Sequence, residues 1–307
     1  MHAALLSTVD QAPRYAEVQE PVPREGEIVV DVLAAGLHHL TRAKAIGAHY
    51  SESTVLPLIP GVDGVVRDDT GALYYTALES GPHGTFAQRT AIDPRRAVRL
   101  SEDADPVLIA AGMNPAMSSW VALRRRIPTV EPKRVLVIGA TGNAGRMAVQ
   151  ISRMLGAEHV IAAGRSTARL SALPALGAAE TRTLADLESA SDVDVVLDYV
   201  WGEPAAQAMM QILTARADRS VPLTWVQLGS MASPTAPIPA AALRSARLDI
   251  VGSGIGSVPS REMIAELPEI AAALNDGRIR VDARAVPLAK IESEWDSSCD
   301  QRVVFVP

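Results

Sequence analysis

A strand, a tight glycine turn and the start of a helix follow one another in residues 134–145, and this order restricts the possible folds more than any other feature. Residues 135–138, Val-Leu-Val-Ile, are apolar and mostly β-branched, as in a parallel strand that is buried on both faces. The apolar residues after the turn recur at helical spacing, at Ala144, Met147, Ala148, Ile151 and Leu155. The segment therefore predicts a dinucleotide-binding βα unit. The alternative is a glycine-rich turn in an α/β protein that binds no ligand.

The turn carries three glycines in the spacing G-x-x-G-x-x-G, which departs from the commoner G-x-G-x-x-G. Glycines let backbone N–H groups approach a pyrophosphate, and the N-terminus of the next helix adds partial positive charge. The residues predicted to hold the pyrophosphate are Gly139, Thr141, Gly142, Asn143, Ala144 and Gly145. Ligands of such sheets bind at the carboxyl ends of the strands, and the predicted ends of two later strands add Gly229, Ser230, Gly252 and Ser253.

The end of the second predicted strand, residues 159–164, indicates which dinucleotide binds. An acidic residue there would accept a hydrogen bond from a free ribose 2′-hydroxyl, but the strand ends at Gly164 and is followed by Arg165, Ser166 and Arg169. Arg165 offers a planar guanidinium to a 2′-phosphate, and Ser166 offers a hydroxyl donor. Arg169 adds a second positive charge. The pattern predicts NADP(H) rather than NAD(H); the alternative is that both arginines belong to a solvated helix start.

The composition is that of an ordinary globular protein and excludes several classes of partner. The 307 residues are enough for two domains, and 48% of them are hydrophobic. The net charge is -6 and the basic residues are scattered, which argues against nucleic acid. The short run Arg124-Arg125-Arg126 is interpreted as a solvated helix end. We expect no membrane partner, because no signal peptide or apolar run of membrane-spanning length is apparent.

The cysteine content points to a reducing compartment. Cys299 is the only cysteine, so no disulfide can form within the chain. This fits a cytoplasmic protein, which is our expectation for its localisation. Cys299 itself is interpreted as a small packing residue rather than a nucleophile.

Strands and helices alternate through the middle of the chain, which predicts a doubly wound parallel sheet. Beyond the first βα unit, the predicted strands are residues 159–164, 193–199, 223–229 and 248–254. The predicted helices between them are residues 171–176, 204–213 and 240–246. The first part of the chain has short strands separated by Gly and Pro turns, which predicts a mostly β domain in the form of a partly open barrel; these strands are residues 27–33, 61–66, 72–77 and 86–91. The last part is predicted to hold a helix at 261–275 and a strand at 302–306.

Six segments beyond the glycine turn resemble the medium-chain dehydrogenase/reductase superfamily, specifically its zinc-free, quinone oxidoreductase-like branch. The resemblance covers nearly the whole chain. Residues 35–41 resemble the branch's A-G-L-N-x-x-D segment, and residues 56–66 resemble its P-x-x-P-G-x-D/E signature. The remaining segments are residues 84–88, 112–123, 276–280 and 286–291.

The resemblance implies an α/β fold with two domains. A GroES-like domain would comprise residues 1–113 and 257–307, and a Rossmann domain residues 114–256. It further implies a homodimer that pairs through the last strand of the Rossmann sheet, at residues 248–252. The implied activity is NADPH-dependent reduction of quinones, α,β-unsaturated carbonyls or related carbonyls. Two alternatives remain: an NADP(H)-binding sensor or interaction protein with little turnover, and an enoyl-thioester reductase.

Three positions depart from the pattern of this branch. His38 and Thr41 stand where the branch has Asn and Asp near the nicotinamide, and Ser118 replaces the usual Thr of the linking helix. The resemblance places Tyr50, His38 and Ser118 near the nicotinamide, so each is a candidate proton donor. Alternatively, Tyr50 packs within a loop and Ser118 is a hydroxyl on a helix face.

No metal site is expected. The structural zinc of the related alcohol dehydrogenases needs four cysteines, and this chain has one. Their catalytic zinc uses a cysteine and a histidine at positions that here hold Leu37 and Val62. The nearby Asp63 is expected to fix the turn after Gly61.

Overall fold

The computed structural model describes residues 1–48, 55–77, 82–127, 133–297 and 301–307. The strands in chain order are β1 (His2–Leu5), β2 (Arg14–Glu17), β3 (Ile28–Gly36), β4 (Asp63–Arg67), β5 (Leu73–Ala77), β6 (Arg89–Ile92), β7 (Val98–Arg99), β8 (Arg134–Ile138), β9 (His159–Gly164), β10 (Glu180–Thr183), β11 (Val195–Asp198), β12 (Leu223–Gln227), β13 (Leu248–Gly252), β14 (Ala283–Pro287) and β15 (Arg302–Val306).

The α-helices are α1 (His39–Ala45), α2 (Pro106–Val121), α3 (Asn143–Met154), α4 (Thr167–Leu170), α5 (Gly202–Ala215), α6 (Ala240–Ser245), α7 (Ser260–Asn275) and α8 (Ile291–Glu294). α2 continues into a π-helical segment, Ala122–Arg126. Short 3-10 turns occupy Pro94–Arg96, Leu173–Leu176, Glu188–Ala190 and Leu288–Lys290.

The chain forms two compact units. Unit 1 comprises Met1–Asn114 and Leu267–Pro307, and unit 2 comprises Pro115–Glu266. The first boundary lies one residue from the predicted one. The second lies ten residues further along, within α7, so residues 257–266 are grouped with unit 2. The predicted domain limits, 1–113 with 257–307 and 114–256, stay a prediction.

Unit 2 contains a six-stranded parallel sheet in the order β10-β9-β8-β11-β12-β13. The strand order reverses at β8, whose neighbours are β9 on one side and β11 on the other. Because ligands of open α/β sheets bind at such a reversal, the site is expected beyond the ends of β8 and β11. A core of buried apolar residues supports this sheet, including Leu136, Ile138, Val196, Met209 and Trp225.

Unit 1 contains a mixed sheet in the order β14-β15-β3-β4-β5-β7, with β6 also paired to β3. Among its described strand pairs, β14 and β15 run parallel and the others antiparallel. β1 and β2 form a separate antiparallel pair. The rings of Phe86 and Phe305 meet edge to face in the core, with centroids 5.1 Å apart. Together the two sheets confirm the predicted fold class.

Local differences from the prediction have simple causes. The helix predicted at 171–176 is instead α4 followed by the 3-10 turn Leu173–Leu176. Ser166 caps the earlier start, and Pro174 has no N–H with which to continue a helix. β10 was missed because its sequence, Glu-Thr-Arg-Thr, has no apolar run and lies at the edge of the sheet.

The arginine run after α2 is paired rather than simply solvated, which corrects the prediction. Glu266 is 2% exposed, and it forms ion pairs with Arg124 Nε at 2.9 Å and Arg125 Nη2 at 2.6 Å. The same carboxylate accepts from Trp120 Nε1 at 2.9 Å. Both guanidinium groups remain partly exposed, at 40% and 37%. The cluster therefore fastens the π-helical segment to α7 within unit 2.

One helical run, Pro106–Arg126, is long and apolar enough by length and composition to cross a bilayer, contrary to the expectation from sequence. This applies to the described part of the chain. The core helix of a soluble protein passes the same test, and 67% of the apolar window is buried inside the protein. The run is therefore weak evidence for a membrane span.

Candidate functional site

The glycine turn after β8 has a backbone that other residues would not tolerate. Gly139 has a φ of +86°, a conformation that favours glycine. The N–H groups of Gly139 and Ala140 both donate to Ala163 O at 3.0 Å, which ties the turn to β9. A Cβ on Gly145 would lie 2.2 Å from Gly139 O. Only glycine at 145 lets the first turn of α3 pack this closely on the end of β8.

The start of α3 is suited to binding an anion. Gly142 is the N-cap residue, and it has no side chain with which to cap the helix. The N–H of Arg146 donates to Gly142 O at 2.8 Å, so the N–H groups of residues 143–145 have no carbonyl within the helix. A Cβ on Gly142 would meet only Gly139 O, at 3.5 Å. The N–H groups of the predicted residues Asn143, Ala144 and Gly145 thus form a cradle of backbone donors that fits a pyrophosphate, while the N–H of Gly142 donates to Gly139 O at 3.1 Å.

The end of β9 carries the residues predicted to recognise the 2′-phosphate. Gly164 is buried against Thr141, whose Cγ2 would lie 3.1 Å from a Cβ at that position. Arg165 follows with an exposed side chain. Ser166 Oγ accepts from the N–H of Arg169 at 3.3 Å and so caps α4. Thr141 and Arg165 therefore lie beyond the carboxyl ends of the neighbouring strands β8 and β9.

A buried aspartate organises the loop after β11. Asp198 Oδ1 accepts from the N–H groups of Val200 and Trp201 at 2.8 and 3.0 Å. Asp198 Oδ2 accepts from Trp225 Nε1 at 3.0 Å. Burial raises the pKa of Asp198 above its usual value, and these three hydrogen bonds oppose the rise. Trp201 has a φ of +55°, so the carboxylate holds a strained turn next to the glycine turn.

Two side chains meet where the strand order reverses. The Tyr199 hydroxyl lies 3.1 Å from Ser118 Oγ, and the Ser118 hydroxyl donates to Pro115 O at 2.8 Å. Burial raises the pKa of Tyr199 to about 12, although hydrogen bonds with Ser118 and Ser119 oppose the rise. Tyr199 was missed by the sequence-based prediction. The available signal was its position directly after Asp198, at the carboxyl end of a predicted strand.

The later strands bring their predicted residues to the same edge. Gly229 N–H donates to Asp198 O at 3.1 Å, and a Cβ there would lie 2.8 Å from Tyr199 O. Ser230 is exposed next to it. At the end of β13, Gly252 O accepts from Arg126 Nε at 2.9 Å, and Ser253 N–H donates to Gln227 O at 2.9 Å. The loop after β12 therefore packs on the loop after β11, while Gly252 and Ser253 lie at the outer strand.

A histidine, an aspartate and a tyrosine form a buried polar cluster in unit 1. His38 Nε2 lies 3.0 Å from Asp63 Oδ1, and the Tyr75 hydroxyl donates to Asp63 Oδ2 at 2.7 Å. Burial, followed by the Asp63 charge, raises the pKa of Tyr75 well above its usual value, so the phenol stays protonated. Among the described residues His38 Nδ1 has no hydrogen-bond partner, and Nε2 meets Asp63 without hydrogen-bond geometry. Buried polar atoms without a hydrogen-bond partner are rare in proteins, so His38 Nδ1 is a candidate for contact with a ligand.

The cluster changes the interpretation of several predicted residues. Asp63 lies in β4 and binds two side chains, rather than only fixing the turn after Gly61. Thr41, at another atypical position, is also buried, and its hydroxyl has no partner in the described part of the chain. Tyr50, the third candidate proton donor, and Cys299 lie outside the described residues.

Comparison with known proteins identifies the family. The chain is 30% identical to a probable NADPH-dependent quinone reductase of Emericella nidulans, over 100% of both chains. The chain belongs to the quinone oxidoreductases of the medium-chain dehydrogenase/reductase superfamily. A second relative in sequence, a 2-methylene-furan-3-one reductase of Solanum lycopersicum, is 27% identical over 66% of this chain and 58% of its own length. No protein-family model matches the chain.

One solved structure supports the same family. The quinone oxidoreductase of Thermus thermophilus, whose complex with NADPH is known, is 26% identical with a TM-score of 0.83. The similarity covers 100% of both chains. In the described residues of the present chain, no group of three or more His, Cys, Asp or Glu residues is placed to hold a metal ion.

Proposed function

We propose that this chain is an NADPH-dependent oxidoreductase that transfers hydride to a quinone or an α,β-unsaturated carbonyl. The observation that carries the proposal is the backbone cradle at the start of α3, with Arg165 at the end of the neighbouring strand β9. The names of the Emericella nidulans and Solanum lycopersicum relatives support the two acceptor classes.

The residues of the cradle account for binding and orientation. The N–H groups of Asn143, Ala144 and Gly145 hold the pyrophosphate, Gly142 leaves space for it, and Arg165 with Ser166 recognises the 2′-phosphate. When bound, the reduced cofactor supplies the hydride. The protein holds the acceptor in place and provides one proton to the reduced acceptor, to an oxygen of a quinone or to the α-carbon of an enone.

Binding and turnover together test this function. We expect the purified chain to bind NADPH more tightly than NADH, and to oxidise NADPH only when an acceptor is added. The acceptors are 1,4-benzoquinone, 9,10-phenanthrenequinone, a simple enone and a crotonyl thioester, with the decline in NADPH absorbance as the readout. Binding without oxidation of any acceptor would support a sensor, and oxidation with the thioester alone would support an enoyl-thioester reductase.

The 2′-phosphate assignment predicts a selective defect in Arg165→Ala. A guanidinium–phosphate hydrogen bond is charge-assisted, so its loss should raise the KM for NADPH roughly 10- to 100-fold. The KM for NADH should change little, because NADH has no 2′-phosphate. Arg67→Ala, which removes an exposed arginine of unit 1, is the matched control. An equal loss for both cofactors would contradict the assignment.

For the proton donor we propose His38 rather than Ser118. The hydroxyl proton of Ser118 is donated to Pro115 O, whereas the buried His38 Nδ1 has no hydrogen-bond partner among the described residues. Asp63 Oδ1 lies 3.0 Å from His38 Nε2 on the other side of the ring, and the Tyr75 hydroxyl donates to Asp63 Oδ2 at 2.7 Å. A carboxylate is therefore next to the histidine that we propose for proton transfer.

Replacing His38 by the asparagine that the resemblance places there tests this role. His38→Asn should lower enone turnover roughly 100-fold. NADPH binding should stay unchanged, and quinone turnover should fall less because a hydroquinone anion takes its proton readily from water. His39→Asn changes the exposed neighbouring histidine and serves as the control. Enone turnover within twofold of the wild-type rate would exclude His38.

We further propose that the enzyme is zinc-independent, dimeric and cytoplasmic. Zinc independence is supported by the lone cysteine and by Leu37 and Val62 at the ligand positions. A dimer through β13 is supported by the position of this strand at the edge of the sheet, since an edge strand is a place where a second chain can pair. Metal analysis and light scattering on the purified protein test the first two points.

A further inference from the structure

Tyr199 flanks the glycine turn on the side away from Arg165. β11 pairs with β8 on the side opposite β9, with Asp198 next to Ile138. The N–H of Tyr199 donates to Ile138 O at 3.1 Å, and a Cβ on Gly139 would lie 3.3 Å from Tyr199 Cβ. A dinucleotide crosses the sheet where the strand order reverses. Since the 2′-phosphate is assigned to the β9 side, the β11 side meets the nicotinamide half.

The hydrogen-bond directions around Tyr199 follow from counting protons. Ser118 has one hydroxyl proton, which it donates to Pro115 O at 2.8 Å. Its 3.1 Å contact with the Tyr199 hydroxyl must therefore use the tyrosine proton. The single tyrosine proton is therefore directed to Ser118, and the phenol oxygen is left as an acceptor with two lone pairs. Ser119 also interacts with this oxygen, which leaves one lone pair for a ligand.

We propose that the phenol oxygen of Tyr199 accepts a hydrogen bond from the carboxamide N–H of the nicotinamide and so selects pyridine dinucleotides that carry a donor on the ring substituent. The proposal rests on the proposed function, because it requires NADP(H) across the end of β8. It assigns Ser118 a positioning role, because its oxygen accepts the hydrogen bond from the Tyr199 hydroxyl and so directs a lone pair of the phenol toward the ligand. Burial supports this role, since it keeps the phenol neutral.

A cofactor analogue tests the contact directly. The 3-acetylpyridine analogue of NADP⁺ has a methyl group in place of the amide nitrogen, so it cannot donate. The fragment 2′,5′-ADP lacks the nicotinamide altogether. Dissociation constants of all three ligands are measured by calorimetry for the wild type and for Tyr199→Phe. Tyr74→Phe, a half-buried tyrosine of unit 1, is the control variant.

The wild type should bind NADP⁺ roughly 3- to 10-fold more tightly than the acetylpyridine analogue. Tyr199→Phe should bind NADP⁺ and the acetylpyridine analogue equally, with the affinity that the wild type has for the analogue. Its affinity for 2′,5′-ADP should equal that of the wild type. Equal weakening for NADP⁺ and the analogue would overturn the proposal, because the contact would then be to the ribose or only structural. Weakened 2′,5′-ADP binding would overturn it by showing that the whole site is disturbed.

The two proposals fail in different ways. If the wild type binds neither NADP⁺ nor 2′,5′-ADP, the proposed function fails and this inference fails with it. If the wild type binds both but Tyr199→Phe does not change its preference between NADP⁺ and the analogue, only the role of Tyr199 is overturned.

Discussion

Gly145→Ala should nearly abolish NADP⁺ binding and destabilise unit 2. The added Cβ would lie 2.2 Å from Gly139 O and 2.7 Å from Ala140 Cα. Both are backbone atoms, so the start of α3 must move away from β8. Such overpacking costs about 3 kcal/mol. The displaced N–H groups would lose two or more charge-assisted hydrogen bonds to the pyrophosphate, which corresponds to a loss of affinity of roughly 100-fold or more.

Gly142→Ala is the matched control for this prediction. Its Cβ would meet only Gly139 O at 3.5 Å, an ordinary contact, and its φ of -78° suits alanine. Its thermal midpoint should therefore stay near that of the wild type, and only NADP⁺ binding should weaken. Thermal unfolding and calorimetry on the two variants separate a defect of packing from a defect of the binding surface. Wild-type stability and affinity in Gly145→Ala would refute the close packing of α3 on β8.

The glycine turn could be predicted from the sequence because its determinants are local. The buried strand, the glycines and the amphipathic helix lie within about twenty consecutive residues, and a βα unit needs no distant partner to be recognised. The parallel sheet followed from alternation of strands and helices. The order of the strands then placed Arg165 and Gly229 at one edge, as expected from the general position of ligands in such sheets.

The polar clusters could not be predicted because they depend on strand register and on contacts distant in sequence. Asp63 pairs with Ala77 across β4 and β5, and this register places Tyr75 two residues away on the same face. A shift by one residue would turn Tyr75 to the other face. Tyr199 and Ser118 are 81 residues apart in the chain. No local pattern marks such a pair, so the polar acceptor at the β11 edge emerges only from the structure.

Asp198→Ala should cost about 3–5 kcal/mol of stability, since it leaves one buried and two part-buried donors unpaired. These donors are the N–H groups of Val200 and Trp201 and Trp225 Nε1. Asp198 is fully buried, so water cannot replace the carboxylate without a rearrangement. The loop that carries Tyr199 should lose its anchor at the same time. The change in thermal midpoint measures the loss, and NADP⁺ affinity reports the effect on the loop.

Two further variants distinguish the hydrogen bond from the Trp225 indole from the two backbone hydrogen bonds of Asp198. Asp198→Asn keeps an oxygen for the two backbone donors but turns an NH₂ group toward Trp225 Nε1, so two donors face each other. Trp225→Phe removes that indole donor. It should therefore cost less in the Asp198→Asn protein than in the wild type. Equal costs in both backgrounds would mean that the indole contact with Asp198 contributes nothing to stability.

The titration of Asp198 adds a pH dependence with a defined sign. Its pKa is raised in the folded protein, chiefly by burial, so the folded state binds the proton more strongly than the unfolded state. The stabilisation that protonated Asp198 provides is therefore present at acid pH and is lost as the pH rises from about 4 through the raised pKa. Asp198→Asn has no such titration. As the pH rises through this interval, the free energy of unfolding of the wild type should fall relative to that of Asp198→Asn. A rise instead would show that the hydrogen bonds to the ionised carboxylate outweigh the cost of burying it.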